Sequence, residues 1–239
     1  EYTLYPVSWQ EYQDHLGYLQ AEKMLETRLL YGSYPEICTH PGQEHERLQQ
    51  LATSYLYRDI LAYANIRKPQ VLERLLQALA LQIGNEVNYN ELAQTVGLNK
   101  ATISAYIDIL EKGHIVFRLP GFARNLRTEI KQNRKIYFWD TGVRNMIIGS
   151  FQPLDLRPDK GALWENFLIA ERRKYLSYTK PGTRTSFWRT RQQQEIDYIE
   201  EYNGQLFAWE FKWQARNSKF PSTFLKNYQA QTRQIHRQN

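Results

Sequence analysis

The sequence predicts a chain of mixed α and β structure, α+β in its first part and α/β in its second. Three observations predict this. Residues 12–112 carry apolar side chains mostly at helical spacing. Residues 90–113 read as helix, glycine turn and helix, followed by two strand-like segments. After a helix that begins at Gly161, β-branched and aromatic residues with turn punctuation take over up to Trp213.

Composition bounds the rest. The 239 residues are 42% hydrophobic, enough to bury a core in one large or two smaller domains. The formal net charge of +6 and a pI of about 9.2 lean towards a polyanionic partner. The one cysteine, Cys38, excludes an internal disulfide framework and a cysteine-based zinc site, and makes a reducing, cytoplasmic setting the expectation. No run approaches the ~18 apolar residues of a membrane span, so no membrane is expected among the partners.

In order along the chain, residues 2–5 read as a strand stopped by Pro6, with residues 1–20 as the exit from something upstream. Residues 21–31 form an amphipathic helix ending at Gly32, and Tyr31-Gly-Ser-Tyr-Pro-Glu36 a turn. Residues 43–63 place Leu48, Leu51, Tyr55, Leu56, Ile60 and Tyr63 on one helical face, with Arg58-Asp59 as an ion pair. Pro69 starts a helix whose apolar face, Val71, Leu72, Leu75, Leu76, Leu79 and Ala80, is broad enough for burial on more than one side.

A short helix over residues 90–96 is opened by Asn88 or Asn90 as its cap, Gly97-Leu-Asn makes a tight turn, and residues 100–112 form a second helix closed by Gly113. Ile103, Ile107 and Leu110 face inward; Asn99, Lys100 and Thr102 are left outside, where they can meet phosphates or base edges. Strands at 115–119 and 135–139 flank a basic loop with Arg124, Arg127 and Lys131. Helix, turn, helix and hairpin make a winged helix, so residues 21–150 read as a helical plus winged-helix domain with DNA as the expected partner. A protein-contacting winged helix with a solvated wing is the alternative. Asp140-Thr-Gly142 reads as the cap of a helix over 143–148, with a phosphate site as the other reading. Residues 151–160, with Pro153 and Pro158, read as a linker.

The last module, 161–239, begins with a helix carrying Glu165, then a strand at 185–189 and two strands joined at Asn203-Gly204, a strong hairpin signal. On the third strand Glu210 and Lys212 share one face, while Trp209, Phe211 and Trp213 take the other. Asp197, on the strand before, reaches the same face as Glu210. Buried charges are costly unless paired or metal-bound, so these residues are either cross-strand ion pairs or an acidic site with one lysine. Residues 224–228 read as a closing helix.

The order of elements, with Glu165, Asp197 and Glu210-Phe-Lys212, resembles the PD-(D/E)xK restriction-endonuclease-like fold. The resemblance implies that Asp197, Glu210 and Glu165 hold Mg²⁺ or Mn²⁺, that these acids and Lys212 are catalytic, and that the chemistry is phosphodiester hydrolysis. A longer series runs through nearly the whole chain: Gly32-Ser-Tyr-Pro-Glu36, Tyr57-Arg-Asp-Ile60, Lys135-Ile-Tyr-Phe-Trp-Asp-Thr-Gly142, Gly161-Ala-Leu-Trp-Glu-Asn166, Glu195-Ile-Asp197 and Trp209-Glu-Phe-Lys212. It resembles the uncharacterised C-terminal region of a family of prokaryotic AAA+ ATPases. That resemblance implies an ATPase domain ahead of this chain as its partner, with ATP bound only there; a homo-oligomer is a further possibility that the sequence leaves open. The chain itself has no Gly-x-x-x-x-Gly-Lys-Ser/Thr motif. The alternative function is an inactive nuclease fold that serves DNA or protein recognition or ATPase subunit contacts.

Overall fold

The structure, a computed structural model, describes residues 3–54, 69–122, 134–215 and 219–237. It is a mixed α and β molecule with two sheets. Ser8 opens α1 (Trp9–Leu16) through a reciprocal capping box with Glu11. Then come α2 (Tyr18–Tyr31), α3 (Pro35–Cys38) and α4 (Glu44–Leu51). Thr3 to Tyr5 are not a strand, contrary to expectation. Among the described residues they have no strand partner, and Tyr5 packs its ring on Trp139 at 4.4 Å. Residues 55–68, which include the Arg58-Asp59 pair, and the wing residues Arg124, Arg127 and Lys131 lie outside the described residues.

The apolar face expected after Pro69 is buried at all six positions in α5 (Pro69–Leu81). A two-residue strand, β1 (Glu86–Val87), precedes α6 (Tyr89–Val96). Asn88 caps α6, and Gly97 ends it in the left-handed region, which glycine adopts without strain. Asn99 caps α7 (Lys100–Lys112), which buries Ile103, Ile107 and Leu110. The strands β2 (Val116–Pro120) and β3 (Arg134–Phe138) complete an antiparallel sheet of order β1-β3-β2.

Side chains alternate across β3. Ile136 and Phe138 join the core formed with α5, α6 and α7. Tyr137 and Trp139 turn the other way, into a second core with Leu163, Phe167, Phe187, Tyr198 and Phe211. Lys135 shares that second face.

Asp140 caps α8 (Thr141–Ile148) through the Val143 amide and also accepts the Ser33 amide, so Asp140-Thr-Gly142 is a helix cap tied to the end of α2. Residues 151–160, expected as a linker, are anchored at two points: Leu154 is buried, and the buried Arg157 binds Asp159, which Arg144 also holds. Burial pushes the Asp159 carboxyl up, but hydrogen bonds from the two guanidiniums outweigh it and hold the pKa at about 2.

The long helix α9 (Lys160–Thr179) leads to β4 (Arg184–Arg189), β5 (Glu195–Tyr202) and β6 (Gln205–Lys212). After α10 (Ser222–Asn227) comes β7 (Ala230–His236), which pairs parallel to β6. The sheet order is β4-β5-β6-β7. The two sheets meet where Gly121 bridges Phe187 and the Phe122 amide donates to the Phe187 carbonyl at 2.6 Å. No helix among the described residues is long and apolar enough to cross a membrane.

Candidate functional site

The β5–β6 hairpin sets the geometry. Asn203 and Gly204 have φ of 49° and 76°, the two positive values that a tight two-residue hairpin turn requires. The turn fixes the register from Tyr202↔Gln205 to Tyr198↔Trp209. Just beyond the last of these pairs, the Asp197 Oδ2 accepts the Phe211 amide at 2.8 Å. Lys212 Nζ lies 3.2 Å from Asp197 and 2.6 Å from Glu210. Both carboxylates are buried, and the lysine is half-buried.

Glu165 approaches from α9. The next residue, Asn166, is wholly buried and stitches the helix to β3: its Oδ1 accepts the Phe138 amide at 2.9 Å and its Nδ2 donates to the Phe138 carbonyl at 2.8 Å. This holds Glu165 beside β3, where Tyr137 donates to it at 2.5 Å and Lys135 Nζ lies 3.2 Å away. Lys135 also contacts Glu195, which in turn lies 3.6 Å from Arg189. The structure therefore brings Asp197, Glu210 and Lys212 together and sets Glu165 alongside them, turned to Lys135 and Tyr137. Among the described residues, no three His, Cys, Asp or Glu side chains converge closely enough to hold a metal ion as they stand.

The electrostatics follow from crowding. Burial raises the Glu210 pKa from its ordinary 4.5 to about 7, and the Asp197 charge adds to the rise. Burial also raises Glu165, and the charge of Asp197 adds to this, while Lys135 opposes it. Burial works against the Lys212 ammonium, but the Asp197 and Glu210 charges hold its pKa above the ordinary value. Burial and the neighbouring Glu165 drive the Tyr137 phenol up, which keeps it a donor.

The sign for stability follows. Between pH 4.5 and about 7 the folded chain binds a proton at Glu210 that the unfolded chain does not. This contribution is full below pH 4.5 and is lost as pH rises through about 7. Urea midpoints should therefore fall from pH 5 to pH 8 more steeply in the parent than in Glu210→Gln, and equal slopes in the two would contradict the shift.

Carboxylate oxygens are the ligands that a hard divalent cation takes, and Asp197 and Glu210 bring theirs to the one Lys212 ammonium. Glu165, Glu195, Asp197 and Glu210 are paired with Lys135, Lys212 and Arg189.

Of the residues expected to meet nucleic acid, Asn99 spends its side-chain oxygen on the Thr102 amide at 2.8 Å and hydroxyl at 3.0 Å, which makes it a helix cap. Lys100, in the first turn of α7, is exposed. On the same helix Asp108 and Glu111 pair with Arg118. Sequence reasoning missed Lys135, Tyr137 and Glu195 as parts of the acidic site. The signal available was a lysine in an otherwise apolar strand, Lys135-Ile-Tyr-Phe138.

Comparison with known proteins gives two family matches. A family described as "Domain of unknown function (DUF8612)" matches residues 22–154, and one described as "Domain of unknown function (DUF4143)" matches residues 160–238. An uncharacterized protein of Mycobacterium bovis and one of Mycobacterium tuberculosis are each 29% identical over 163 residues, covering 67% of this chain and 36% of their own length. An uncharacterized protein of Haemophilus influenzae is 25% identical over 160 residues, 62% of this chain and 40% of its own length. The chain thus spans well under half the length of these relatives. No solved structure matches it.

Proposed function

The chain belongs to the family described as a domain of unknown function (DUF8612), and we propose that it is a DNA-binding arm with a metal-dependent, PD-(D/E)xK nuclease-like site. In this reading residues 86–138 are a winged helix, residues 160–238 are the nuclease-like module, and the whole protein is an AAA+ ATPase that binds ATP elsewhere.

The observation that carries the reading is that Asp197 and Glu210, on adjacent antiparallel strands and both buried, converge on the Lys212 ammonium. Ion pairing for stability alone is a weak reason to bury two acids and a lysine, because burial costs about as much as pairing returns. Asp197 and Glu210 would hold Mg²⁺ or Mn²⁺, which supplies an activated water and charge stabilisation at the scissile phosphate. Asp197 is fixed for this by the Phe211 amide. Lys212 keeps its proton and presents a positive charge beside both acids, where a phosphoryl oxygen gains charge during cleavage. Glu165 is the third acid, one ion pair removed.

The test is plasmid cleavage by the chain in Mg²⁺. Nicking is expected in the parent, reduced by about 100-fold or more in Glu210→Ala and Lys212→Met. Equal rates in parent and variants would remove the assignment. DNA affinity is expected to fall steeply with salt and to weaken in Lys100→Ala combined with Arg127→Ala. Unchanged affinity in that double variant would direct the winged helix elsewhere. A second reading, an inactive nuclease fold used for recognition or for ATPase subunit contacts, is favoured by the lysines that already pair with Glu165, Asp197 and Glu210. The cleavage assay separates the two.

A further inference from the structure

We infer that Lys135 is a positioning residue that acts as the resident counter-ion of Glu165, in place of a divalent cation, so that both matched segments build one site. This rests on the reading of Asp197 and Glu210 as a divalent-cation site.

Lys135 belongs to the 22–154 segment, whereas Glu165, Glu195, Asp197, Glu210 and Lys212 belong to the 160–238 segment. Its side chain is 1% exposed, on the face of β3 that turns from the helical core towards α9. A buried lysine is costly without partners. Among the described residues, its ion-pair partners are Glu165 and Glu195, and Asp197 acts on it through its field. Beyond these it meets the Phe187 ring at 5.4 Å. Ile136 and Phe138 fill the other face of the strand, so an apolar residue at 135 would serve packing alone as well or better.

What Lys135 does is hold Glu165. With Tyr137 bonded to the same oxygen, Glu165 is committed to β3 while Asp197 and Glu210 share Lys212. A cation that draws on Glu165 has to compete with this ammonium. Removing the charge at 135 takes the ammonium from Glu165 and Glu195 and frees Glu165 for added metal.

The experiment is calorimetric titration of Mn²⁺ into the whole chain at pH 8, with thermal melts as the check on folding. Lys135→Met is expected to bind Mn²⁺ about tenfold more tightly than the parent, or to gain binding. Lys135→Gln, which keeps hydrogen-bond donors without the charge, is expected to do the same and carries the test if the methionine variant does not fold. Lys135→Arg should restore parental affinity, which a packing role would not require. Neutral variants that bind within about twofold of the parent, or more weakly, overturn the inference. The functional reading is judged separately, by the parent's own titration and its loss in Glu210→Ala. A parent that binds with an unchanged Lys135→Met defeats only the inference; a silent parent with a binding Lys135→Met defeats only the claim that the native site takes metal; silence in both defeats both.

Discussion

Alanine at position 142 should destabilise the chain by at least about 3 kcal/mol. Gly142 lies in the first turn of α8, against the end of α2. A Cβ there would stand 2.5 Å from the Gly32 nitrogen and closer still to the Tyr31 carbonyl oxygen. These are backbone atoms, so no rotamer change relieves the contact. The helices would have to part, and Asp140 would lose the Ser33 amide that it accepts at 2.7 Å. Gly161→Ala is the control: it lies in α9, and its Cβ would meet nothing within 4 Å. It is expected to be neutral or to gain up to about 1 kcal/mol. Urea unfolding of the two variants beside the parent checks both, and a mild Gly142→Ala would show that the α2–α8 contact is looser than described.

Asp197→Ala and Asp197→Asn are expected to separate structure from function. In both, saturable Mn²⁺ binding should weaken by about 100-fold or more, because one of the two carboxylates is gone. Their stabilities should differ. Alanine leaves the buried Phe211 amide without its acceptor and Lys212 with Glu210 alone, at about 1–3 kcal/mol for the stranded amide. Asparagine keeps an oxygen for that amide and should retain most of the stability. Full Mn²⁺ affinity in Asp197→Asn would place the cation elsewhere.

These contrasts show what local sequence can carry. The Gly97 turn, the buried face of α5 and the Asn203-Gly204 turn all rest on neighbouring residues, and each was legible. The sequence narrows the cap of α6 to Asn88 or Asn90, and Asn99, read as facing a nucleic acid, is instead the cap of α7. The Asn203-Gly204 turn also made Asp197 and Glu210 legible as neighbours, because its two residues set the register. The contacts of Lys135 and Tyr137 with Glu165 span 30 and 28 residues and join β3 to α9, so no periodicity announces them. The same holds for Asp140 and Ser33, 107 positions apart. The strand β7, Ala-Gln-Thr-Arg-Gln-Ile-His, was hidden by its polar side chains. It sits at the edge of its sheet with Gln231, Thr232 and Arg233 exposed, so its place comes from pairing with β6 and not from an apolar face.

The most direct test of the acidic corner is a calorimetric Mn²⁺ titration of the unaltered chain at pH 8 and again at pH 6. Asp197 and Glu210 as a cation site predict one saturable binding event at pH 8. At pH 6, below the Glu210 pKa of about 7, the proton competes and binding weakens. No saturable heat at pH 8, or equal affinity at the two values, would contradict the account.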